Sequence, residues 1–251
     1  MHTAALDELG LGDSWSYEAI DVAPESFERL VRSLPDDDFA GVNVTVPHKR
    51  AALALADEVS QAAREIGAAN TLTFKGGRIE ADNTDASGLL NALPQPPVAQ
   101  RALVLGAGGS ARAAVWALLG AGADVAVRFQ TAERATELAQ ALGATAVAEP
   151  DPTTYGLLVN ATTVGMAEAS GDVGPGLKAL PVPDDEIQAT QLVVDLVYGS
   201  VETPLIIAAK ARGAQTVDGL EVLVHQGAAS LRLWTGSEPP LETMRRAARA
   251  G

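Results

Sequence analysis

Two short stretches of the chain combine residue types at spacings that suit chemistry. The first is Gly106-Ala107-Gly108-Gly109-Ser110-Ala111, which fits the pattern G-x-G-x-x-[G/A] between a strand and a helix. Gly106 permits a sharp turn, and Gly108 lets the backbone approach a pyrophosphate. Ala111 allows tight helix–sheet packing, with the helix N-terminus facing the anion. The second is Asn43-Val44-Thr45-Val46-Pro47-His48-Lys49. Polar Asn and Thr among valines, then a Pro-enforced turn, present Thr45, His48 and Lys49 near the C-terminal end of a strand, where open α/β sheets hold ligands. The chain has only four lysines against fourteen arginines, so a lysine here is not generic surface filling. Downstream come Asn70 and the run Asp82-Asn83-Thr84-Asp85, which leads into a helix. A lysine and an aspartate brought together form a proton-donating pair for a carbonyl or hydroxyl. Taken singly, Asp85 also suits a helix cap or first-turn charge, and Lys49 a solvated face.

These residues need elements to position them, and strand-like and helix-like segments alternate from end to end. Trp15 to Val22 reads as a strand, followed by a helix opened by Pro24-Glu25 and running through Arg32. Gly41 to Val46 is a β-branched strand stopped by Pro47. Residues 51–66 read as helix in two pieces, and 70–74 and 79–82 as a hairpin around Lys75-Gly76-Gly77-Arg78. A helix over 84–93 precedes Pro94-Gln95-Pro96-Pro97, which marks a domain boundary. Beyond it, buried strands at 102–105, 125–129, 157–159 and 192–194 alternate with helices over 111–119, 133–142 and 205–212. A last helix over 220–234 precedes a charged tail. This order predicts an α/β protein with a parallel sheet in the second half.

Composition narrows the function classes. The 251 residues carry 18 basic and 32 acidic side chains, a formal charge of −14, against the basic footprint that nucleic acid rewards. The absence of cysteine removes disulfides, thiolate metal sites and cysteine nucleophiles. His2, His48 and His225 lack metal-ligand spacing, so no metal is expected. No apolar run of about 18 residues is present for a membrane span, and residues 1–8 are polar and acidic, unlike a secretion signal. The expectation is a cytoplasmic protein with small-molecule partners.

The second strand of a dinucleotide-binding fold ends in the residue that reads the adenosine ribose, an acid for NAD. Here Val127-Arg128-Phe129-Gln130-Thr131 occupies that place. With no acid and with Arg128 available to a 2′-phosphate, NADP is favoured and NAD kept open.

Taken together the motifs are similar to those of the shikimate dehydrogenase family and its quinate/shikimate relatives. Asn43 to Lys49, Gly67-Ala68-Ala69-Asn70-Thr71, Asn83-Thr84-Asp85 and Gly106 to Ala111 appear in the family's order. Asn160-Ala161-Thr162-Thr163-Val164-Gly165-Met166, Asp195-Leu196-Val197-Tyr198, and Asp218-Gly219-Leu220 with Gln226-Gly227-Ala228 complete the series. The resemblance implies NADP-dependent, reversible reduction of 3-dehydroshikimate to shikimate in aromatic amino acid biosynthesis. It makes Lys49 the catalytic lysine, with Asp85 beside it binding a substrate hydroxyl and holding the lysine charged. Thr45, Asn70, Tyr198 and Gln226 match positions that contact the substrate. Gly106, Gly108, Gly109, Ser110, Ala111, Arg128 and Thr131 fall to the nucleotide, and Met166 and Gly219 lie near the nicotinamide. The implied fold is two-domain: a substrate domain over 1–96, with a mixed, mainly parallel sheet, completed by helices from 219–251, and a Rossmann-type NADP domain over 97–218. Hydride transfer in the family occurs in the cleft between the domains, and the protein is expected as a monomer or homodimer.

The chain departs from the family pattern in two places. Family members begin with a strand and a Ser-x-Ser-Pro-x-x-His segment whose serines bind the substrate carboxylate, and this chain opens at the Met1-His2 that matches the segment's end. The expectation is an internal methionine at position 1, with the natural start roughly 15 to 25 residues earlier, one strand plus a turn. Without that strand its neighbours should be left unpaired. The second departure is Phe129-Gln130-Thr131 in place of the family's usual Asn-Arg-Thr. The competing readings are an NAD(P)-dependent quinate/shikimate dehydrogenase of catabolism and a non-catalytic truncated paralogue that binds ligand. Retention of both Lys49 and Asp85 argues against the latter.

Overall fold

A computed structural model describes residues 1–174 and 176–250. Pro175, within the glycine- and proline-rich stretch 165–183, and Gly251, at the end of the expected substrate domain, lie outside them. The chain forms two compact units, residues 1–88 with 224–250, and residues 89–223. Among the described residues no helix is long and apolar enough to cross a membrane.

The first unit opens with α1 (His2–Glu8), α2 (Phe27–Ser33) and β1 (Gly41–Asn43), then α3 (Lys49–Leu55), β2 (Glu58–Val59) and α4 (Gln61–Ile66). β3 (Thr71–Lys75), β4 (Arg78–Asp82) and the start of α5 (Asp85–Ala92) follow. The sheet order is β1-β3-β4-β2. β1 and β4 run antiparallel to β3, and β2 parallel to β4. The sheet is therefore mixed as expected, but antiparallel pairings outnumber the parallel one. The cause is local: Gly76 and Gly77 both take positive φ, which closes a two-residue hairpin whose twist matches its strands. α4 begins with Ser60 accepting from Ala63 N–H and ends on left-handed Gly67, capped at both ends.

The strand expected over Trp15–Val22 does not form; these residues make no ladder. β character needs a partner for the backbone groups, and here side chains hold the extended segment instead. The Tyr17 hydroxyl donates to Asn43 Oδ1, and the Val22 carbonyl meets His48 Nε2 at 3.0 Å. The strand read over 41–46 stops at Asn43, because His48 N–H closes a turn onto the Thr45 carbonyl.

The second unit contains β5 (Arg101–Leu105), α6 (Gly109–Gly120), β6 (Asp124–Arg128), α7 (Ala132–Leu142), β7 (Thr145–Ala146), β8 (Leu157–Asn160) and α8 (Met166–Ala169). β9 (Leu192–Asp195), α9 (Pro204–Ala211), β10 (Gln215–Val217) and the first turn of α10 (Gly219–Thr235) complete it. Six strands in the order β10-β9-β8-β5-β6-β7 pair in parallel throughout. The central strands are continuous apolar runs because both faces are covered: Leu103, Val104, Leu157, Val159, Val193 and Val194 are all inaccessible to solvent. This is the doubly wound arrangement predicted, with β5 and β8 flanking its centre. The remainder of α10 and α11 (Leu241–Ala250) belong to the first unit, where Val224, Ala228, Leu231 and Met244 pack with Ala5 and Leu6 of α1. α11 was read in the sequence as a charged tail. Met244 is its buried residue, with Leu241 and Ala248 packed partly against the same cluster.

Candidate active site

In the first unit, Lys49 opens α3 and Asp85 opens α5. Their side chains meet, Lys49 Nζ donating to Asp85 Oδ2 at 2.6 Å, and are only 11% and 17% exposed. The backbone forces this encounter. Asn70 sits between two strand edges, its carbonyl accepting from Val44 N–H and its N–H donating to the Asp82 carbonyl. Ala69 N–H donates to the Lys49 carbonyl, so both helix starts are tied to one segment.

Asn70 also organises the side chains. Its Oδ1 accepts from Thr84 N–H at 2.7 Å and from the Thr71 hydroxyl at 3.1 Å. That fixes the amide with its nitrogen toward Asp85 Oδ1, 2.8 Å away, and Gln226 Oε1, 3.1 Å away. Below it, Ser230 Oγ accepts from Asn43 Nδ2 at 2.7 Å and lies within 3.2 Å of the Thr71 and Thr84 hydroxyls. Gly88 makes room for this: a Cβ there would lie 2.6 Å from Gln226 Cβ. Thr45 lies exposed in the turn before α3. His48 stacks on Phe27, with centroids 4.5 Å apart, and its Nε2 meets the Val22 carbonyl at 3.0 Å.

In the second unit, the glycine-rich turn links β5 to α6. Gly106 has φ +125, and a Cβ there would lie 2.7 Å from the Ala161 carbonyl oxygen. Gly108 caps α6, and a Cβ built on it meets nothing within 4 Å, so the space a phosphate group needs is open. Gly109 and Ser110 start the helix, and Ala111 is fully buried against the sheet. Arg128 ends β6 with Nη1 donating to the Phe129 carbonyl and with its Nε buried without a hydrogen-bond partner among the described residues, a donor left for an anionic ligand. Thr131 caps α7 with no side-chain bond, and the Arg134 guanidinium lies 5.3 Å from the Phe129 ring centre. A glycine cradle, a helix N-terminus and a buried unpaired guanidinium nitrogen fit a phosphorylated dinucleotide such as NADP.

Residues 1–72 match the family described as shikimate dehydrogenase substrate binding domain, and residues 219–249 match shikimate 5′-dehydrogenase C-terminal domain. A shikimate dehydrogenase (NADP(+)) of Gluconobacter oxydans is 42% identical over 243 residues, covering 91% of this chain and 82% of that one. The chain belongs to the shikimate dehydrogenase family. A second member, from Methanopyrus kandleri, is 41% identical across 98% of this chain and 88% of its own. Among solved structures, shikimate 5-dehydrogenase from Thermus thermophilus in complex with NADP(H) and shikimate aligns with a TM-score of 0.89. It shares 41% identity, covering 99% of this chain and 92% of that one.

The residues suggested by resemblance to shikimate dehydrogenases fall into two groups. Lys49, Asp85, Asn70 and Gln226 are joined by direct hydrogen bonds in the first unit. In the second, Met166, which opens α8 after β8, and Tyr198, on the loop after β9, are each 47% exposed, and Gly219 starts α10 where a Cβ would lie 2.3 Å from the Val197 carbonyl oxygen. The hydroxyls of Thr71, Thr84 and Ser230 were not singled out. Ser230 follows Gln226 by four residues, one turn along the same helix face, and that spacing was the available signal.

Proposed function

We propose that this chain catalyses the reversible NADP-dependent reduction of 3-dehydroshikimate to shikimate, the step that serves aromatic amino acid biosynthesis. The observation that carries the reading is the Lys49–Asp85 pair at 2.6 Å, in a chain whose relatives are shikimate dehydrogenases that use NADP. Residues 1–96 with 219–251 act as the substrate domain and 97–218 as the nucleotide domain.

When bound, NADP supplies the hydride chemistry. Lys49 Nζ donates a proton to the substrate carbonyl oxygen as negative charge develops there, and its ammonium stabilises that charge in a site with little water. Asp85 Oδ2 orients the ammonium, while Asn70 holds the other carboxylate oxygen. Thr45, Gln226 and Tyr198 bind the ring hydroxyls and set the face presented. In the oxidative direction Lys49 takes the proton back from the hydroxyl.

Gly106 to Ala111 would hold the pyrophosphate and Arg128 with Thr131 the 2′-phosphate, and Met166 and Gly219 would contact the nicotinamide. The same reading makes the protein a cytoplasmic monomer or homodimer without nucleic-acid or membrane partners. The test is the absorbance of reduced nicotinamide formed from shikimate and NADP at alkaline pH. Absence of turnover overturns the reading.

A further inference from the structure

β8 and β9 are apolar strands that each end in a polar residue, Leu157-Leu158-Val159-Asn160 and Leu192-Val193-Val194-Asp195. Asn160 and Asp195 are partners in the parallel ladder, and both are 0% exposed. The hydrogen-bond partners of the Asp195 carboxylate are all neutral: Asn160 Nδ2 at 2.9 Å, Val197 N–H at 3.0 Å and the Thr203 hydroxyl at 2.6 Å. A buried carboxylate without a cation costs stability, so its presence calls for another explanation.

We propose that Asp195 is a positioning residue that sets the two loops presenting Met166 and Tyr198. A carboxylate only accepts hydrogen bonds, so it forces the amide nitrogen of Asn160 toward itself. The same nitrogen donates to the Val164 carbonyl, while Asn160 Oδ1 accepts from Thr162 N–H at 3.1 Å and the Thr162 hydroxyl at 2.7 Å. The Thr162 hydroxyl oxygen in turn accepts from Val164 N–H. The turn from 160 to 164 is thereby closed, two residues before Met166. On the other side, Oδ1 grips the backbone at Val197, next to Tyr198. Oδ2 takes the single hydroxyl proton of Thr203, leaving that oxygen to accept from Ile206 N–H and cap α9. Gly219 packs on the same backbone, its absent Cβ leaving room for the Val197 carbonyl. One buried carboxylate therefore ties together three segments, and two of them lead directly to Met166 and Tyr198.

The proposal rests on the functional reading above and is separable from it. Arg128 and Thr131, assigned to the 2′-phosphate, lie at the end of β6 and the start of α7, outside the segments that Asp195 bonds, so the adenosine half of the cofactor should bind whether or not these loops are set. The experiment measures kcat for shikimate oxidation and the dissociation constant of 2′,5′-ADP for the wild type, Asp195→Asn, Thr203→Val and Thr203→Ser. The expected result is a fall in kcat of about tenfold or more in Asp195→Asn and Thr203→Val, the scale of loss from misplaced reacting groups. Binding of 2′,5′-ADP should stay within about twofold, and Thr203→Ser should restore kcat. Unchanged kcat in Asp195→Asn and Thr203→Val, or loss of 2′,5′-ADP affinity in step with kcat, would overturn the positioning role while leaving the function intact. A wild type without turnover would overturn both.

Discussion

Asn70 Nδ2 lies 2.8 Å from Asp85 Oδ1, while Lys49 Nζ donates to Asp85 Oδ2. Asp85 is thus gripped from both sides, by an ammonium and by an amide whose own orientation is fixed from beneath. Replacing Asn70 with Ala frees one oxygen and leaves Thr84 N–H short of its acceptor. The expected loss is about tenfold in kcat, with about 1–3 kcal/mol of stability for the unpaired buried groups. Steady-state kinetics beside urea unfolding checks both, and unaltered kcat in a destabilised variant would restrict Asn70 to a structural role.

Arg128 carries the cofactor prediction. A buried guanidinium nitrogen with no partner gains a charge-assisted bond when a 2′-phosphate binds, on the order of 1.5–3 kcal/mol. Arg128→Ala should raise KM for NADP about tenfold or more and leave KM for NAD within about twofold. An equal effect on both cofactors would place the phosphate elsewhere.

Gly88 tests how α5 meets α10. A Cβ there would sit 2.6 Å from Gln226 Cβ and 2.9 Å from its backbone nitrogen, which a flexible tip cannot relieve. Gly88→Ala should cost about 1–3 kcal/mol by overpacking and raise KM for shikimate by displacing Gln226. Cofactor binding by the other unit should not change; a fully neutral substitution would contradict the packing.

Two buried groups give opposing pH dependences. Burial pushes the Asp195 carboxyl up from 3.8 to about 6, against the hydrogen bonds from Thr203, Val197 and Asn160. Burial likewise pushes His2 down from 6.5 to about 4, partly offset by its bond to the Gly227 carbonyl. Between about pH 4 and 6 folded Asp195 holds a proton that the unfolded chain releases, so its contribution is complete below about 4 and lost as pH rises through 6. Folded His2 lacks a proton that the unfolded chain binds, so its contribution falls as pH drops from about 6.5 through 4. Each amounts to about 3 kcal/mol, and they act in opposite directions. Asp195→Asn should leave stability that rises with pH over this range, and His2→Phe stability that falls. Thermal unfolding from pH 4 to 7 decides it, and parallel profiles for wild type and variants would contradict the assignment.

Much of this was legible in the sequence because it rests on local signals. Buried strands such as Leu103–Leu105 and Leu157–Val159 are continuous apolar runs, and the turn at Gly106 needs glycine for a positive φ. Lys49 and Asp85 were readable as chemistry, and the family resemblance set them side by side; residue types and spacing alone could not, since the meeting depends on Asn70 being threaded between two strand edges. Trp15–Val22 alternates like a strand yet is assigned to no sheet, because periodicity reports side-chain faces and not the presence of a neighbouring strand. The pattern of residues left α11 as a charged tail, because three arginines dominate its composition, whereas the family resemblance implied helices there. Asn160 and Asp195 were visible as polar ends of apolar strands, and only the ladder register shows that they face each other.

The central claim is that Lys49 moves the proton. The most direct measurement compares kcat/KM for NADPH formation from shikimate by the wild type and by Lys49→Ala, with NADP affinity measured on both by calorimetry. The account predicts turnover by the wild type and a loss of about 10²–10⁴ in the variant, with NADP affinity kept within about twofold. Turnover in Lys49→Ala at the wild-type rate would contradict it.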